Sequence, residues 1–123
     1  MLAGIGIDIV DIARIERAGR NKLFYTRNFT QDEIAMLEAS MQSAQRAAGN
    51  FAAKEAVLKA LGCGIFDMPL TDIEVLRYPS GKPYVTLHGK AKQKADELMV
   101  TRVHISISHT AELAAAEAIA EGD

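Results

Sequence analysis

Apolar and polar residues alternate along the first ten positions of the chain, which is the pattern of a β-strand. One face carries three isoleucines and the other two glycines and an aspartate: Ile5, Ile7 and Ile9 against Gly4, Gly6 and Asp8. We predict a buried strand over residues 2–10. Because the glycine face has almost no side-chain bulk, we expect it to leave room for a ligand beside Asp8.

Helical spacing follows this strand. Asp11 can cap a short helix with Ile12 and Ile15 inward, and the segment 30–33 is a capping-box signature. That second helix would point three apolar residues inward: Ile34, Leu37 and Met41. After a break at 40–43, a long helix is predicted to end at residue 61, where two glycines, Gly62 and Gly64, form a stop signal.

The second half of the chain is predicted to contain more strands. Residues 73–78 and 84–88 form a strand pair joined by a turn at 79–83. A helix is predicted at 89–99, with four inward residues: Ala91, Ala95, Leu98 and Met99. Alternation over 103–108 predicts another strand, whereas residues 111–120 stay ambiguous between helix and strand because their composition favours helix.

The overall composition excludes several classes of protein. The 123 residues suit one domain, and 49% apolar with 24% charged residues describes an ordinary globular chain. A net charge of -2 gives no basic footprint for nucleic acid, and no apolar run approaches a membrane span. The lone Cys63 and the absence of a signal-peptide pattern predict a cytoplasmic protein.

The segment 51–59 is the most informative one. On a helix, Phe51, Glu55 and Lys59 share one side, so a carboxylate follows an aromatic residue on a predicted packing face. A surface ion pair worth about 0.3–0.5 kcal/mol is the simple interpretation of Glu55 and Lys59. If that side is buried, the carboxylate needs a further partner, and Mg²⁺ would suit because it takes one or two carboxylates and phosphate oxygens.

Asp8 raises the same question, although an aspartate at a strand end also serves as a helix or turn cap. Two carboxylates in apolar settings, with Lys59 beside one of them, suggest a divalent cation that holds phosphate.

Three other polar segments have both a structural and a functional interpretation. The turn at 80–83 is either a solvated hairpin or a backbone approach to a ligand, with Lys82 supplying charge. The segment 104–110 is either a half-exposed edge strand or part of a site, and without a Gly-x-Ser-x-Gly pattern we discount a hydrolase triad. The basic run 14–27 is either a solvated face or a docking surface for an acidic partner.

Taken together, these segments resemble the holo-acyl-carrier-protein synthase family, the small bacterial phosphopantetheinyl transferases. The matching segments occur in family order over nearly the whole chain, and each is weak alone but the set is specific. They are residues 4–10, 12–16, 51–60, 81–83 and 105–110. The resemblance implies a single α+β domain over residues 1–123, with a mainly antiparallel sheet packed against a long helix and shorter helices, and a strand at 111–120.

The resemblance also implies an activity. The family transfers 4'-phosphopantetheine from coenzyme A to a serine of apo acyl carrier protein in a Mg²⁺-dependent reaction of fatty acid biosynthesis, releasing adenosine 3',5'-bisphosphate. Asp8 and Glu55 would be the metal ligands, and Lys59 would contact the diphosphate, so that these three residues form the catalytic group. A metal and a lysine fit this reaction because positioning and charge neutralisation dominate phosphoryl transfer.

Further residues receive roles from the same resemblance. Besides Lys59, the coenzyme A site would include Ser80, Gly81, Lys82, Pro83, His104, Ser106, His109 and Thr110. The acidic carrier protein would dock on Arg14, Arg17 and Arg20. The family is typically a homotrimer with active sites at subunit boundaries, and neither nucleic acid nor a membrane is expected as a partner.

Two further questions concern the base that accepts the serine proton and the residue at position 50. Glu55, directly or through a water molecule that it orients, is the candidate base for the serine hydroxyl, and Asp32 is the weaker candidate. Asn50 stands where the family commonly has arginine, so another cation, such as Lys82 or Arg46, would have to bind that phosphate of coenzyme A.

Two other classes of function remain open from the sequence. A non-catalytic nucleotide or coenzyme A binding module would keep the pocket residues without needing both carboxylates. A purely structural trimer with buried ion pairs would respond to neither coenzyme A nor metal.

Overall fold

The computed structural model describes residues 1–123, which form a three-stranded sheet, a two-stranded sheet and five α-helices. The elements in chain order are β1 (Leu2–Asp11), α1 (Ile12–Ala18), α2 (Lys22–Asn28), α3 (Gln31–Glu38), α4 (Ser43–Ala60), β2 (Ile73–Arg77), β3 (Pro83–Leu87), α5 (Gly89–Glu97), β4 (Arg102–His109) and β5 (Leu113–Glu121), with a 3₁₀ turn at Leu70–Asp72. The predicted α+β class with antiparallel pairing is confirmed.

The ambiguous segment 111–120 contains a strand. β5 lies in the middle of the larger sheet, in the order β1-β5-β4, and pairs antiparallel with both neighbours. Four alternate alanines of β5 are buried beneath the long helix: Ala114, Ala116, Ala118 and Ala120. Two backbone ladders therefore override the helix propensity of an alanine-rich segment.

The local signals for the helices are confirmed. Asp11 accepts a hydrogen bond from the Ala13 N–H and caps α1, whose Ile12 and Ile15 are buried. Thr30 and Glu33 form the predicted capping box at α3. α4 is followed by Gly62 at φ 72, a left-handed conformation that suits glycine at a helix end.

Several predictions of burial are wrong. Ile5, Ile7 and Ile9 are 69%, 59% and 61% exposed, because α4 covers only the opposite face of the sheet. The three residues expected to pack inward near helix ends are also exposed, since each lies beyond the last turn of its helix: Met41, Leu98 and Met99.

Contrary to our expectation, the glycine face of β1 is closed to a ligand at Gly4 and Gly6. A methyl group on Gly4 would overlap the Ala60 carbonyl, and one on Gly6 would overlap the Ala56 carbonyl. The space is filled by the backbone of α4. The two glycines therefore allow β1 and α4 to pack in close contact, which brings residues of both elements together at one edge of the sheet.

A buried ion pair that the sequence did not reveal links α4 to the smaller sheet. Lys54 and Glu33 are both fully buried, with Nζ 2.7 Å from Oε1. Lys54 also donates to the Leu70 and Ile73 carbonyls, while Glu33 accepts from the Val75 N–H. Burial is the main cause that lowers the pKa of Lys54, and Glu33 opposes it. All these polar groups are satisfied, so the pair holds α3, α4 and β2 in register.

Candidate active site

The predicted catalytic group meets in space where β1 packs on α4. Lys59 of α4 donates from Nζ to Asp8 Oδ1 at 3.2 Å and to the Ile7 carbonyl at 2.8 Å. Glu55 lies one helical turn before Lys59, and its carboxylate is close enough to Asp8 to sense its charge. Residues 51 positions apart in the chain therefore form one cluster of two carboxylates and one ammonium group.

The electrostatics of this cluster favour a cation. Burial first, and then the charge of Asp8, raises the pKa of Glu55, while Lys59 and Arg14 oppose the rise. Lys59 therefore offsets only part of the repulsion between the two carboxylates. A further positive charge at this point would stabilise both of them in ionised form.

One oxygen of the cluster has no partner within the chain. Asp8 Oδ2 is buried and receives no N–H donor, although Asp8 Oδ1 is engaged by Lys59 and the Glu55 carboxyl lies close enough to hydrogen-bond Asp8 when it is protonated. A buried carboxylate oxygen without a donor is costly, so it is suited to a ligand that it binds. No three His, Cys, Asp or Glu side chains come together in a metal-binding group, so the protein would supply two carboxylates here. This donor set fits Mg²⁺, which usually keeps several waters and takes substrate phosphate oxygens, better than a cation that needs a full protein cage.

The predicted docking arginines lie on one segment beside this cluster. Arg14 and Arg17 are exposed on α1, and Arg20 is exposed just after it. Arg14 is near enough to Glu55 to oppose the rise of its pKa. A partner that binds these arginines would therefore be adjacent to the carboxylates.

The predicted base candidates differ in their surroundings. Glu55 lies in the cluster beside Asp8 and Lys59, within reach of a group bound there. Asp32 is exposed in the first turn of α3 and forms no hydrogen bond or ion pair. The structure therefore favours Glu55 over Asp32 on geometry.

The residues predicted to bind coenzyme A do not form one group within a single chain. Gly81, Pro83 and His109 line a cavity of about 190 Å³ together with residues of α4. Lys82 and His104 line a separate cavity of about 530 Å³ between β3 and β4, which Pro83 also borders.

Of the remaining candidates, two lie on β4 and two lie in turns. His104 and Ser106 are exposed on the face away from α4, with His104 bound to Glu121 at 2.9 Å. Thr110 Oγ1 accepts from the Leu113 N–H in the turn to β5, and Ser80 Oγ accepts from the Lys82 N–H. In this chain alone, Ser80 and Thr110 therefore stabilise turns.

Sequence reasoning missed two residues beside the smaller cavity. Arg77 at the end of β2 donates to the Asn50 side chain at 2.8 Å and lines the cavity with Arg46 and His109. A cation at 77 carries no motif, and only the fold places it next to Asn50. Gln45 was also missed, and its Oε1 is buried without a partner.

The whole chain is similar to proteins of one kind. A family model described as the 4'-phosphopantetheinyl transferase superfamily matches residues 4–116. A holo-[acyl-carrier-protein] synthase of Alkaliphilus oremlandii is 48% identical over 121 residues, covering 98% of this chain and 99% of the relative.

Solved structures agree with this similarity. The Plasmodium yoelii acyl carrier protein synthase with ADP bound superimposes with a TM-score of 0.90 at 34% identity, covering 100% of this chain and 97% of that one. The Helicobacter pylori holo-[acyl-carrier-protein] synthase in complex with coenzyme A gives 0.83 at 36% identity, covering 95% of this chain and 99% of that one. No helix of the structure has both the length and the apolar character needed to cross a membrane.

Proposed function

Because this chain belongs to the 4'-phosphopantetheinyl transferase superfamily, in its holo-acyl-carrier-protein synthase family, we propose that Asp8 and Glu55 bind Mg²⁺ for the transfer. The substrates are coenzyme A and an apo acyl carrier protein, and the second product is adenosine 3',5'-bisphosphate. The observation that carries this proposal is the unpartnered Asp8 Oδ2 beside Glu55 and Lys59. A coenzyme A complex of the Helicobacter pylori relative supports coenzyme A as the donor.

The reaction replaces the phosphoanhydride bond of the coenzyme A diphosphate by a phosphodiester bond to serine. The serine oxygen of the carrier protein bonds to the phosphorus that bears pantetheine, and the bond from that phosphorus to the bridging oxygen breaks. Adenosine 3',5'-bisphosphate leaves with the bridging oxygen. Mg²⁺, when bound, would neutralise diphosphate charge and orient its oxygens.

The chain's own residues supply positioning and proton transfer. The Lys59 side chain is 52% exposed, and its Nζ, which donates to Asp8 Oδ1 and to the Ile7 carbonyl, has a third N–H that can donate to a diphosphate oxygen. A carboxylate oxygen of Glu55 accepts the serine proton, directly or through a water molecule.

A homotrimer is part of this proposal, and two observations support it. Ile5, Ile7 and Ile9 expose an apolar stripe on β1 that a soluble single chain would normally cover. In addition, Arg46 and Glu55 are nine residues apart on α4 and so lie about half a turn apart around the helix axis, at 3.6 residues per turn. The small cavity beside Arg46 and the carboxylate cluster therefore face different sides, and neighbouring chains would combine them into complete sites.

The carrier protein is proposed to dock on Arg14, Arg17 and Arg20. All three cations are exposed and Arg14 lies near Glu55, so an acidic partner bound there would present its serine to Glu55. A role in fatty acid biosynthesis and a cytoplasmic location follow from the same proposal.

Intact-mass measurement of an apo acyl carrier protein tests the proposal directly. The carrier protein is incubated with this chain and coenzyme A, with Mg²⁺ or with EDTA. We expect the mass of one phosphopantetheine to be added with Mg²⁺ and none with EDTA. An unmodified carrier protein in both samples, with coenzyme A nonetheless bound to the chain, would indicate a binding module instead. If neither coenzyme A nor Mg²⁺ raises the Tm of the chain, the result would indicate a structural protein.

A further inference from the structure

The larger cavity runs along the edges of two strands that do not pair with each other. Its volume is about 530 Å³. β3 pairs only with β2 and β4 only with β5, so no backbone ladder closes the gap between the two sheets. Because side chains alternate between the faces of a strand, a cavity on one face would be bordered by every second residue. Consecutive residues 82–87 and 100–105 border this cavity, which places it between the strand edges.

The walls of this cavity are largely apolar. Aliphatic side chains from both strands, from α5 and from the segment between α5 and β4 border it: Val85, Leu87, Ala95, Val100, Val103 and Ile105. The four that belong to β3 and β4 pack against the core but are only partly buried, so some of their apolar surface still contacts water. A ligand with an apolar body would remove this remaining surface from water, which is favourable.

The ionisable side chains at the cavity include no acid. The charged residues and the histidine that border it are Lys82, Lys92, Arg102 and His104, and no aspartate or glutamate does so. Three of these four side chains lie within 3.2 Å of a carboxylate of the chain. Lys82 is the exception and takes part in no ion pair. Its charge is therefore available to an anion from outside the chain.

Two tyrosines add hydrogen-bond donors at the turn that carries Lys82. Tyr78 and Tyr84 stack with their ring centroids 4.4 Å apart, and both border the cavity. The Tyr78 N–H donates to the Lys82 carbonyl at 2.9 Å, so the backbone of the turn is fixed at this end. Phenol hydroxyls can donate to an anion, as an ammonium group does. One end of the cavity thus combines an unpaired cation with two phenol groups.

We propose that this cavity binds a linear amphiphilic anion, an alkyl chain with one carboxylate or phosphate group. The anionic group would lie at Lys82 and the chain along the aliphatic walls. The cavity volume lies within the range of roughly 300–1,000 Å³ that small-molecule sites occupy. β3, with 5 residues, spans about 13 Å at 3.3 Å per step, so an elongated ligand suits the cavity better than a compact one. The carboxylate cluster takes no part, so this inference does not depend on the proposed function.

Calorimetric titration of the full chain with octanoate, below its micelle-forming concentration, tests the site. We expect saturable binding of one octanoate per chain. Acetate has the anionic group without the alkyl chain, and octyltrimethylammonium has the alkyl chain with the opposite charge, so neither should bind. Octanol should bind more weakly than octanoate, and equal affinities would overturn the role of the charge. Octyl phosphate shows which anionic group fits better, and saturable binding of either anion supports the proposal.

Lys82→Gln removes the unpaired cation. We expect the affinity for octanoate to fall about 10-fold, as for the loss of a charged hydrogen bond, with the affinity for octanol unchanged. Lys90→Gln, at an exposed lysine of α5 that does not border the cavity, is the matched control and should change neither affinity. An equal loss of octanoate affinity in both variants would reduce the effect to net charge and overturn the assignment of Lys82.

Val103→Phe fills part of the cavity from the side of β4 and should abolish binding of octanoate and octanol while Lys82 is unchanged. If this variant does not fold, amide chemical shifts of the wild-type chain locate the ligand instead. We expect octanoate to shift the signals of residues 82–87 and 100–105. Shifts confined to the exposed isoleucines of β1, which form another apolar surface, would overturn the proposal, as would the absence of saturable binding.

Discussion

Gly6 of β1 lies directly against the Ala56 carbonyl of α4, so that a methyl group on Gly6 would overlap that oxygen. This contact sets the distance between the two elements that carry the candidate active site. Asp8 follows Gly6 on the same face of β1, and Glu55 precedes Ala56 on α4. Close packing of glycine on helix backbone thus brings two carboxylates together, which a larger residue at position 6 would separate.

Gly6→Ala should therefore reduce both stability and activity. The extra methyl group cannot be accommodated by a rotamer change because it meets backbone atoms, so we expect a loss of about 1–3 kcal/mol or more in the free energy of unfolding. Urea denaturation measures this loss. Gly64→Ala is the matched control, since its nearest neighbour is a flexible carboxylate at 3.6 Å and its stability should change little. Equal stability of both variants would contradict the packing argument.

Glu55→Gln and Asp8→Asn should each lower the transfer rate by at least about 100-fold, as expected for losing a group that stabilises transition-state charge. Their folds should stay intact, because burial and the charge of Asp8 already oppose ionisation of Glu55. Mg²⁺ should raise the Tm of the wild-type chain and not that of either variant. Glu38→Gln, at an exposed glutamate of α3, serves as the control with full activity. A full-rate Glu55→Gln chain would remove that residue from the mechanism.

Lys54→Met should destabilise the chain by about 3–5 kcal/mol, since it leaves Glu33 buried without its cation. Lys92→Met removes a lysine from an exposed ion pair with Asp96 and should cost less than about 0.5 kcal/mol. Unfolding by urea compares the two. Similar small losses in both variants would show that Glu33 is satisfied by its backbone donors alone.

The contribution of Glu74 to the stability of the chain should decrease in acidic solution. Burial alone would raise the pKa of Glu74, but hydrogen bonds from Thr30 and His88 hold it below the ordinary value of 4.5. The stabilisation is thus present above the pKa of the unfolded chain and is lost as pH falls through the lower folded value.

Denaturation series from pH 6 to 3 should therefore show the advantage of the wild-type chain over Glu74→Gln shrinking as the solution becomes more acidic. Glu97→Gln, at an exposed position, should show little difference from wild type over that range. An advantage over Glu74→Gln that is independent of pH would contradict the assignment.

Ile7→Glu should prevent trimer formation and with it activity. The substitution puts a charge in the middle of the exposed isoleucine stripe, where a neighbouring chain is proposed to pack. Sedimentation velocity measures the assembly state, and the mass assay measures transfer. Met41→Glu, at a fully exposed apolar residue in a loop, should leave both unchanged. A monomeric Ile7→Glu chain with full activity would show that one chain contains a complete site.

The residues of the candidate active site could be predicted from sequence because local patterns mark them. Helical spacing put Glu55 and Lys59 on one side, and strand alternation put Asp8 on the glycine face of β1. That Asp8 and Glu55 act together was implied by the family resemblance, whereas the separate expectation of open space along the glycine face was wrong, since Gly4 and Gly6 admit a helix there. The distribution of the predicted coenzyme A-binding residues over two cavities could not be predicted, because it depends on how the β2–β3 turn, β4 and α4 pack against one another.

The amino-acid sequence by itself determined the caps of α1 and α3 and the extents of most elements, since each depends on neighbours a few residues away. Only the tertiary structure decided three further matters. β5 is a strand because hydrogen-bond partners on both sides outweigh alanine's small helix preference. The isoleucines of β1 are exposed because α4 covers only one face. Arg77 reaches Asn50 because β2 and α4 pack together, and no short-range pattern encodes a contact between residues 27 positions apart.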